Sequence, residues 1–487
     1  MKVLFVSSEA YPLAKTGGLG DVSHSLPVAL HHAGADVRLV LPAYRSALKT
    51  VSNLQILGWL DTGLGQEVRI LQAEHPEYPM PVWLIDHPNL FDRSGSPYTH
   101  PDGYDWPDNA QRFNQFSHAA ALLACDALKT GWRADIVHAN DWQTGLVPAY
   151  LTFEHNAPKS IFTIHNLAYD CQFDYGTFQA MHLPPHWWSM EHGEFYGRFS
   201  MIKAGIVFAD HITTVSPRYA EEICTSEYGY GYADILNANK DKLSGIINGI
   251  DSNIWDPSTD KLLVANYTVN KSLKSAKQKN RKALLQKLGA NDKVLAGKLP
   301  LIGFVGRMAF QKGIDLLLDS IEATLKKEKV LFAVIGSGDK ELEARLKSIA
   351  VKYPEQVFCW IGYSEELAHL LEAGSDMFVM PSRYEPCGLN QLYSLRYGTP
   401  PIVRNTGGLA DTVTDTNEKT LANHSATGFV FEHADSEDLS RAISRAINTH
   451  KQAETWSNIV KNGMQLETGW QQSAADYLQL YGAMTHG

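Results

Sequence analysis

The sequence predicts an α/β protein of two doubly wound, Rossmann-like domains facing each other across a cleft, and three observations predict it. Short apolar runs alternate with longer helix-spaced patterns along the whole chain, the mark of parallel sheets built from βαβ units and covered on both faces. A chain of 487 residues is too long for a single hydrophobic core. An Asn-, Asp- and Pro-rich seam, INGIDSNIWDPSTD at 247–260, separates two sets of such runs.

The strands expected before the seam are KVLFVSS, ADVRLVLP, PVWLIDH, DIVHAN, SIFTIHN, HITTVS and SGIING. Those expected after it are PLIGFVGR, FAVIGSG, FCWIG, DMFVMPS, PPIVRN and GFVFE. Between them, stretches such as GIDLLLDSIEATLKKE and KELEARLKSIAVKY space their apolar residues as helices do. The expected division is residues 1–250, residues 251–465 and a terminal helix over 466–487. Open parallel sheets bind ligands at the carboxyl ends of their strands, so a ligand is expected where the two domains face each other.

Composition narrows the function classes. A formal charge of −10 and the absence of a long Lys/Arg block argue against a nucleic-acid surface. The densest basic run, KSLKSAKQKNRKALLQK, ends in an apolar-periodic stretch and reads as a solvated helix. Five scattered cysteines contain no C-x-x-C pair, which fits reduced thiols and offers no zinc site. The opening apolar run is too short for a signal segment, and no run reaches eighteen apolar residues. A soluble, cytoplasmic protein without membrane partners is expected.

Two glycine loops carry the chemistry. The first, KTGGLGD, follows the first strand and contains Lys15, Gly18 and Asp21. It is no dinucleotide fingerprint: the third glycine is missing, and the second strand ends without a ribose-binding acid. It is no Walker loop either, because the lysine precedes the glycines. Adjacent glycines at a helix start, beside a lysine, still suit a phosphate. Pro27 is expected to kink the helix that follows. TGGLGD at 16–21 is echoed by TGGLAD at 406–411, which suggests a shared role for the two loops.

After the seam, GRMAFQKG places Arg307 and Lys312 between a strand and a helix, two cations suited to a diphosphate. The chain holds no Asp-x-Asp triplet, so no metal and no cofactor is expected, and cations with helix N-termini are left to neutralise the leaving group. Asp141 and His165 stand at the ends of two further strands, and Glu385 in the turn of SRYEPCGLNQLY.

Together KTGGLGDV, HANDWQ, TIHN, INGID, GRMAFQKG, SRYEPCGLNQLY and NTGGLADTV resemble, in that order, the bacterial glycogen synthases and plant starch synthases. These are retaining glycosyltransferases of the two-domain GT-B type. The resemblance implies transfer of glucose from ADP-glucose to the non-reducing 4-OH of an α-1,4-glucan, with retention of configuration. It places Lys15, Gly18 and Asp21 in the sugar-nucleotide loop, and Arg307 and Lys312 on the diphosphate. Thr406, Gly407, Gly408 and Leu409 form the second loop, its last three residues offering amides nearby. Asp141, His165 and Asn248 surround the glucose, and Glu385 holds its hydroxyls with Cys387 and Gly388 beside it.

One position departs from the wider group of retaining transferases. Where many carry a second Glu eight residues after the first, this chain has Tyr393, as glycogen synthases of this type do. The resemblance also implies that the terminal helix, with Trp470, Tyr477, Leu480 and Tyr481, packs back on the first domain. Two alternatives stay open at this point: a related retaining glucosyltransferase with another donor or acceptor, and a non-catalytic nucleotide-sugar or glucan-binding protein.

Overall fold

The computed structural model describes residues 1–65 and 67–486, with the side chain of residue 486 left out. The chain divides into two compact units. One is Met1–Asn248 with the segment from Trp470 onward; the other is Gly249–Gly469. The boundaries thus fall at 248/249 and 469/470, a few residues from the expected 250/251 and 465/466.

The first unit is built on a nine-stranded sheet. Across it run Leu243–Gly245, His211–Thr214, Lys159–Ile164, Ile136–Asn140, Lys2–Val6, Asp36–Pro42, Tyr78–Asp86, Val68–His75 and Ser52–Leu60. The first seven pair in parallel, and the last two join antiparallel. Val3 to Val6 are fully buried at its centre, as a strand covered on both faces requires. Ser52–Leu60 and Val68–His75 are absent from the sequence-based strand set. Ser52–Leu60 is an edge strand exposed over most of its length, so it lacks the buried run that marks the others.

Helix Gly18–His32 follows the first strand and buries Leu19, Val22, Leu26 and Leu30. Pro27 lies inside this one continuous helix. Because Pro27 is itself buried beside Leu26, packing holds the helix on both sides of it. The terminal helix, Trp470–His486, packs against Gly18–His32. Trp470, Tyr477 and Tyr481 are buried. Tyr481 OH pairs with His138 Nδ1 at 2.7 Å, and Ser473 Oγ donates to the Ile247 carbonyl at 2.6 Å. The last helix is therefore part of the first unit's core.

The second unit carries six parallel strands in the order Val357–Ile361, Leu331–Gly336, Leu301–Val305, Met377–Met380, Pro401–Arg404, Phe429–Phe431. Numbered along the unit, this is 3-2-1-4-5-6, the dinucleotide-fold order whose switch point lies between the first and fourth strands. All six were legible as strands. The basic run forms helix Leu273–Lys287, but not every lysine on it is solvated. Lys277 turns inward to Thr399 Oγ1 (2.7 Å) and the Tyr397 carbonyl, and burial pulls its pKa down to about 8. No described helix is long and apolar enough to cross a membrane.

Candidate functional site

In each unit the strand order reverses beside the first strand, so the loops leaving the central strands meet at one sheet edge. In the first unit these loops follow Lys2–Val6, Ile136–Asn140 and Lys159–Ile164. They carry Lys15, Asp141 and His165.

Lys15 Nζ is held by Asp21 Oδ1 at 2.6 Å, both side chains about two-fifths exposed at 41% and 36%. Gly17 is the helix N-cap and has no side-chain cap. A Cβ added to Gly17 or Gly18 meets nothing within 4 Å. The fold itself leaves open space there. The two amides just before the helix, those of Thr16 and Gly17, are not open. The buried Glu9 accepts from Thr16 N (2.5 Å) and Gly17 N (3.2 Å) through Oε2, and from Thr16 Oγ1 (2.6 Å) and Tyr98 OH (2.6 Å) through Oε1. Glu9 was missed in the sequence because nothing marks one acid after a strand as a clasp for a loop seven residues on.

Asp141 adopts φ 57°, a costly conformation for a residue with a Cβ. Its Oδ1 accepts the His165 amide at 2.8 Å. Burial pushes its carboxyl up to about 7, against the pull of the His165 and Asn166 amides, and Glu9's charge adds to the rise. His165 Nε2 pairs with Asn140 Oδ1 at 2.9 Å. Asn140 Nδ2 donates to the Val6 and His138 carbonyls, so its oxygen faces the ring and His165 carries its proton on Nε2. Burial lowers the ring's pKa to about 3. Neutral His165 therefore presents Nδ1 as an acceptor. Asn248 is buried, and its Oδ1 has no partner among the described residues.

In the second unit, Arg307 and Lys312 lie after strand Leu301–Val305, and Glu385 lies after Met377–Met380, the two sides of the switch point. Lys312 Nζ contacts Glu385 Oε2 at 2.6 Å, with side-chain exposures of 22% and 8%. Ser382 Oγ donates to the same oxygen at 2.9 Å. Both bonds fall on Oε2; Oε1 accepts none from the described residues. Gly313 ends the Lys312 turn at φ 64°, where a Cβ would stand 2.0 Å from the Pro381 carbonyl oxygen. Only glycine lets the two loops approach this closely. Arg383 locks the second loop through a bidentate pair with Asp315 (2.8 and 2.7 Å). Arg307 reaches Gln311 Oε1 at 3.5 Å, and Gln311 reaches the Tyr384 carbonyl.

Thr406 is the buried N-cap of the short helix Gly407–Thr412. Gly407 has φ 44° and would drive a Cβ to 2.0 Å from the Glu385 carbonyl oxygen; Gly408 would do the same to Cys387. The Gly408 amide donates to the Glu385 and Pro386 carbonyls, and the Leu409 amide to Thr406. The Gly408 amide thus ties this loop to the Glu385 loop, while the Leu409 amide turns back on its own loop. The echo between TGGLGD and TGGLAD is thus local likeness with different causes: one glycine pair borders open space, the other is required by packing. Gly388, at φ 74°, and Cys387 accept the Gln391 side-chain amide at 3.0 Å each. Tyr393, where a second carboxylate stands in other transferases, stacks on Trp255 with ring centroids 3.7 Å apart.

The comparisons with known proteins agree with this architecture. Residues 2–238 match the starch synthase catalytic domain family, and residues 276–463 the glycosyl transferases group 1 family. The chain is 49% identical to glycogen synthase 1 of Methylococcus capsulatus, over 99% of this chain and 96% of that one. It is 47% identical to a glycogen synthase of Hydrogenovibrio crunogenus, over 99% and 100%. Among solved structures, the catalytic domain of starch synthase IV from Arabidopsis thaliana, bound to ADP and acarbose, superposes with a TM-score of 0.86 at 32% identity, covering 100% of this chain and 99% of that one. A sucrose-phosphate synthase from Thermosynechococcus elongatus shares the fold, with a TM-score of 0.58 at 18% identity over 99% and 98%. With two parallel α/β units, a Lys–Arg–Glu constellation at the second unit's switch point and full-length likeness to these enzymes, the chain belongs to the glycogen synthase family of GT-B glycosyltransferases.

Proposed function

We propose that this glycogen synthase takes its glucose from ADP-glucose and adds it, with retention, to the non-reducing 4-OH of an α-1,4-glucan. The observation that carries this reading is the second unit's switch point. Lys312 and Arg307 rise from one loop, and Glu385 from the other keeps Oε1 uncommitted beside them. Two cations suit a diphosphate, and a carboxylate oxygen with unengaged lone pairs suits the donating hydroxyls of a sugar.

The chemistry assigned to these groups is front-face displacement. The bond from glucose C1 to the β-phosphate oxygen breaks as the acceptor O4 bonds to C1 on the same face. The acceptor's proton passes to the departing phosphate oxygen. Arg307 and Lys312 stabilise the charge growing on that phosphate, an electrostatic role requiring no carboxylate nucleophile. Neutral His165, Asp141 and Asn248 supply acceptors and donors for glucose hydroxyls, with Asn248 Oδ1 unpartnered among the described residues. Lys15 and the open face of Gly17 and Gly18 take part of the donor.

On this reading the reaction needs no metal, since side chains neutralise the phosphates, and the enzyme works in the cytoplasm, where its five cysteines, none in a disulfide among the described residues, stay reduced. Incorporation of labelled glucose into glycogen tests the whole, run with ADP-glucose, with UDP-glucose, and with a chelator present. Preferred transfer from ADP-glucose that survives chelation is expected. Equal or better use of UDP-glucose would overturn the donor, and loss of activity on chelation would overturn the metal-free scheme.

A further inference from the structure

A buried carboxylate without a cation beside it is costly unless donors surround it. Glu9 meets that condition with four hydrogen bonds, all from neutral groups. Two are the amide and hydroxyl of Thr16 and one is the amide of Gly17, the residues between Lys15 and Gly18. Because Gly17 caps helix Gly18–His32 without a side chain, the Glu9 charge, held on the amides just before it, adds a favourable negative charge at the helix's positive end. The fourth bond, from Tyr98 OH, continues to Ser8 Oγ at 2.8 Å, and the Tyr98 ring lies against Phe113 and Trp142. Trp142 follows Asp141 directly in the chain.

We infer that Glu9 is a positioning residue for the glucosyl transfer. It fixes the Thr16–Gly17 backbone so that Lys15 and the open side of Gly18 meet the donor, and it ties that loop through Tyr98 to the Asp141–Trp142 edge. Glu9 does not touch the donor itself. Its carboxylate takes the Thr16 and Gly17 amides, so those two are not offered to the donor, and Lys15 with the helix start at Gly18 is what the loop presents. The inference rests on the reading that Lys15 contributes to donor binding.

Steady-state kinetics of Glu9→Gln, Lys15→Gln and the double variant separate the possibilities, with unfolding midpoints measured in parallel. In Glu9→Gln the NH₂ takes the Oε1 place, where the Thr16 and Tyr98 hydroxyls can turn to accept it, so the loop keeps its bonds but loses their charge-assisted strength. We expect the KM for ADP-glucose to rise about tenfold, with a smaller fall in kcat. Because Glu9 acts through Lys15, the double variant should bind ADP-glucose no more weakly than Lys15→Gln alone. Glu9→Asp should restore part of the affinity, and acetate should lower the raised KM of Glu9→Ala by refilling the site. Additive effects on KM, or a KM unchanged in Glu9→Gln while Lys15→Gln raises it, would overturn the inference. A KM unchanged in Lys15→Gln would instead overturn the reading of Lys15 on which it rests.

Discussion

Lys312 and Glu385 lie 73 positions apart and meet as an ion pair shielded from water. On the proposed mechanism Lys312 therefore has two tasks: it neutralises Glu385 in the free enzyme and the departing phosphate during transfer. Removing one preorganised charge typically lowers kcat by about 10²- to 10³-fold, and we expect losses of that order in Lys312→Ala, Arg307→Ala and Glu385→Ala. The pairing adds a signature in stability. Lys312→Ala strands a buried carboxylate at a cost of about 1–3 kcal/mol, whereas the Lys312→Ala/Glu385→Ala double variant strands nothing. Thermal unfolding should show the double variant more stable than Lys312→Ala. The reverse order would show that the pair is not coupled in solution. None of this coupling was legible in the sequence, where each residue stood in its own motif. Tyr393 is the complementary case: its identity ruled out a second carboxylate, while its stacking on Trp255 emerged only from the fold.

Loops and helices show where sequence likeness misleads. Gly18 and Gly407 occupy similar motifs, yet their surroundings predict opposite outcomes. Gly18 has open space at Cβ and begins a helix, where Ala is the better helix former. Gly18→Ala should leave stability within about 0.5 kcal/mol and raise the KM for ADP-glucose, because the added methyl meets only the donor. Gly407→Ala must overcome both φ 44° and a 2.0 Å approach to the Glu385 carbonyl. It should destabilise the second unit by more than about 2 kcal/mol and lower activity by displacing Glu385. Paired unfolding and kinetic measurements check both, and a destabilised Gly18→Ala with a neutral Gly407→Ala would refute the distinction. Buried parallel strands were readable because each is a dense apolar run. The exposed edge strand Ser52–Leu60 was not, for want of one.

At the scale of the molecule, pH acts unequally on the two units. Burial lowers the pKa of six histidines in the first unit, His75, His87, His118, His138, His165 and His211. Among the described carboxyls there, burial raises Asp141 and Asp170. A buried neutral histidine stabilises fully above its unfolded pKa near 6.5. Its contribution is lost as pH falls toward the folded value, about 3 for His138 and His165. The two raised carboxyls work the other way, losing stability as pH climbs from about 4, but they are outnumbered. The first unit's unfolding midpoint should therefore fall as pH drops from 7 to 5, by calorimetry or tryptophan fluorescence. A midpoint that rises over that range would contradict the sign. The two-domain plan was legible because strand–helix alternation survives in any reading of the chain. The convergence of loops at each switch point was not, since strand order is set by pairings far apart in sequence.

The first unit is also discontinuous along the chain, and this bears on the order of its synthesis. Tyr481 closes on His138 across 343 positions, and the whole of Gly249–Gly469 is made in between. A growing chain thus presents a nine-stranded sheet whose covering helix has not yet been translated, while the second unit is contiguous and can complete itself first. The half of the enzyme that leaves the ribosome first is the last to be finished.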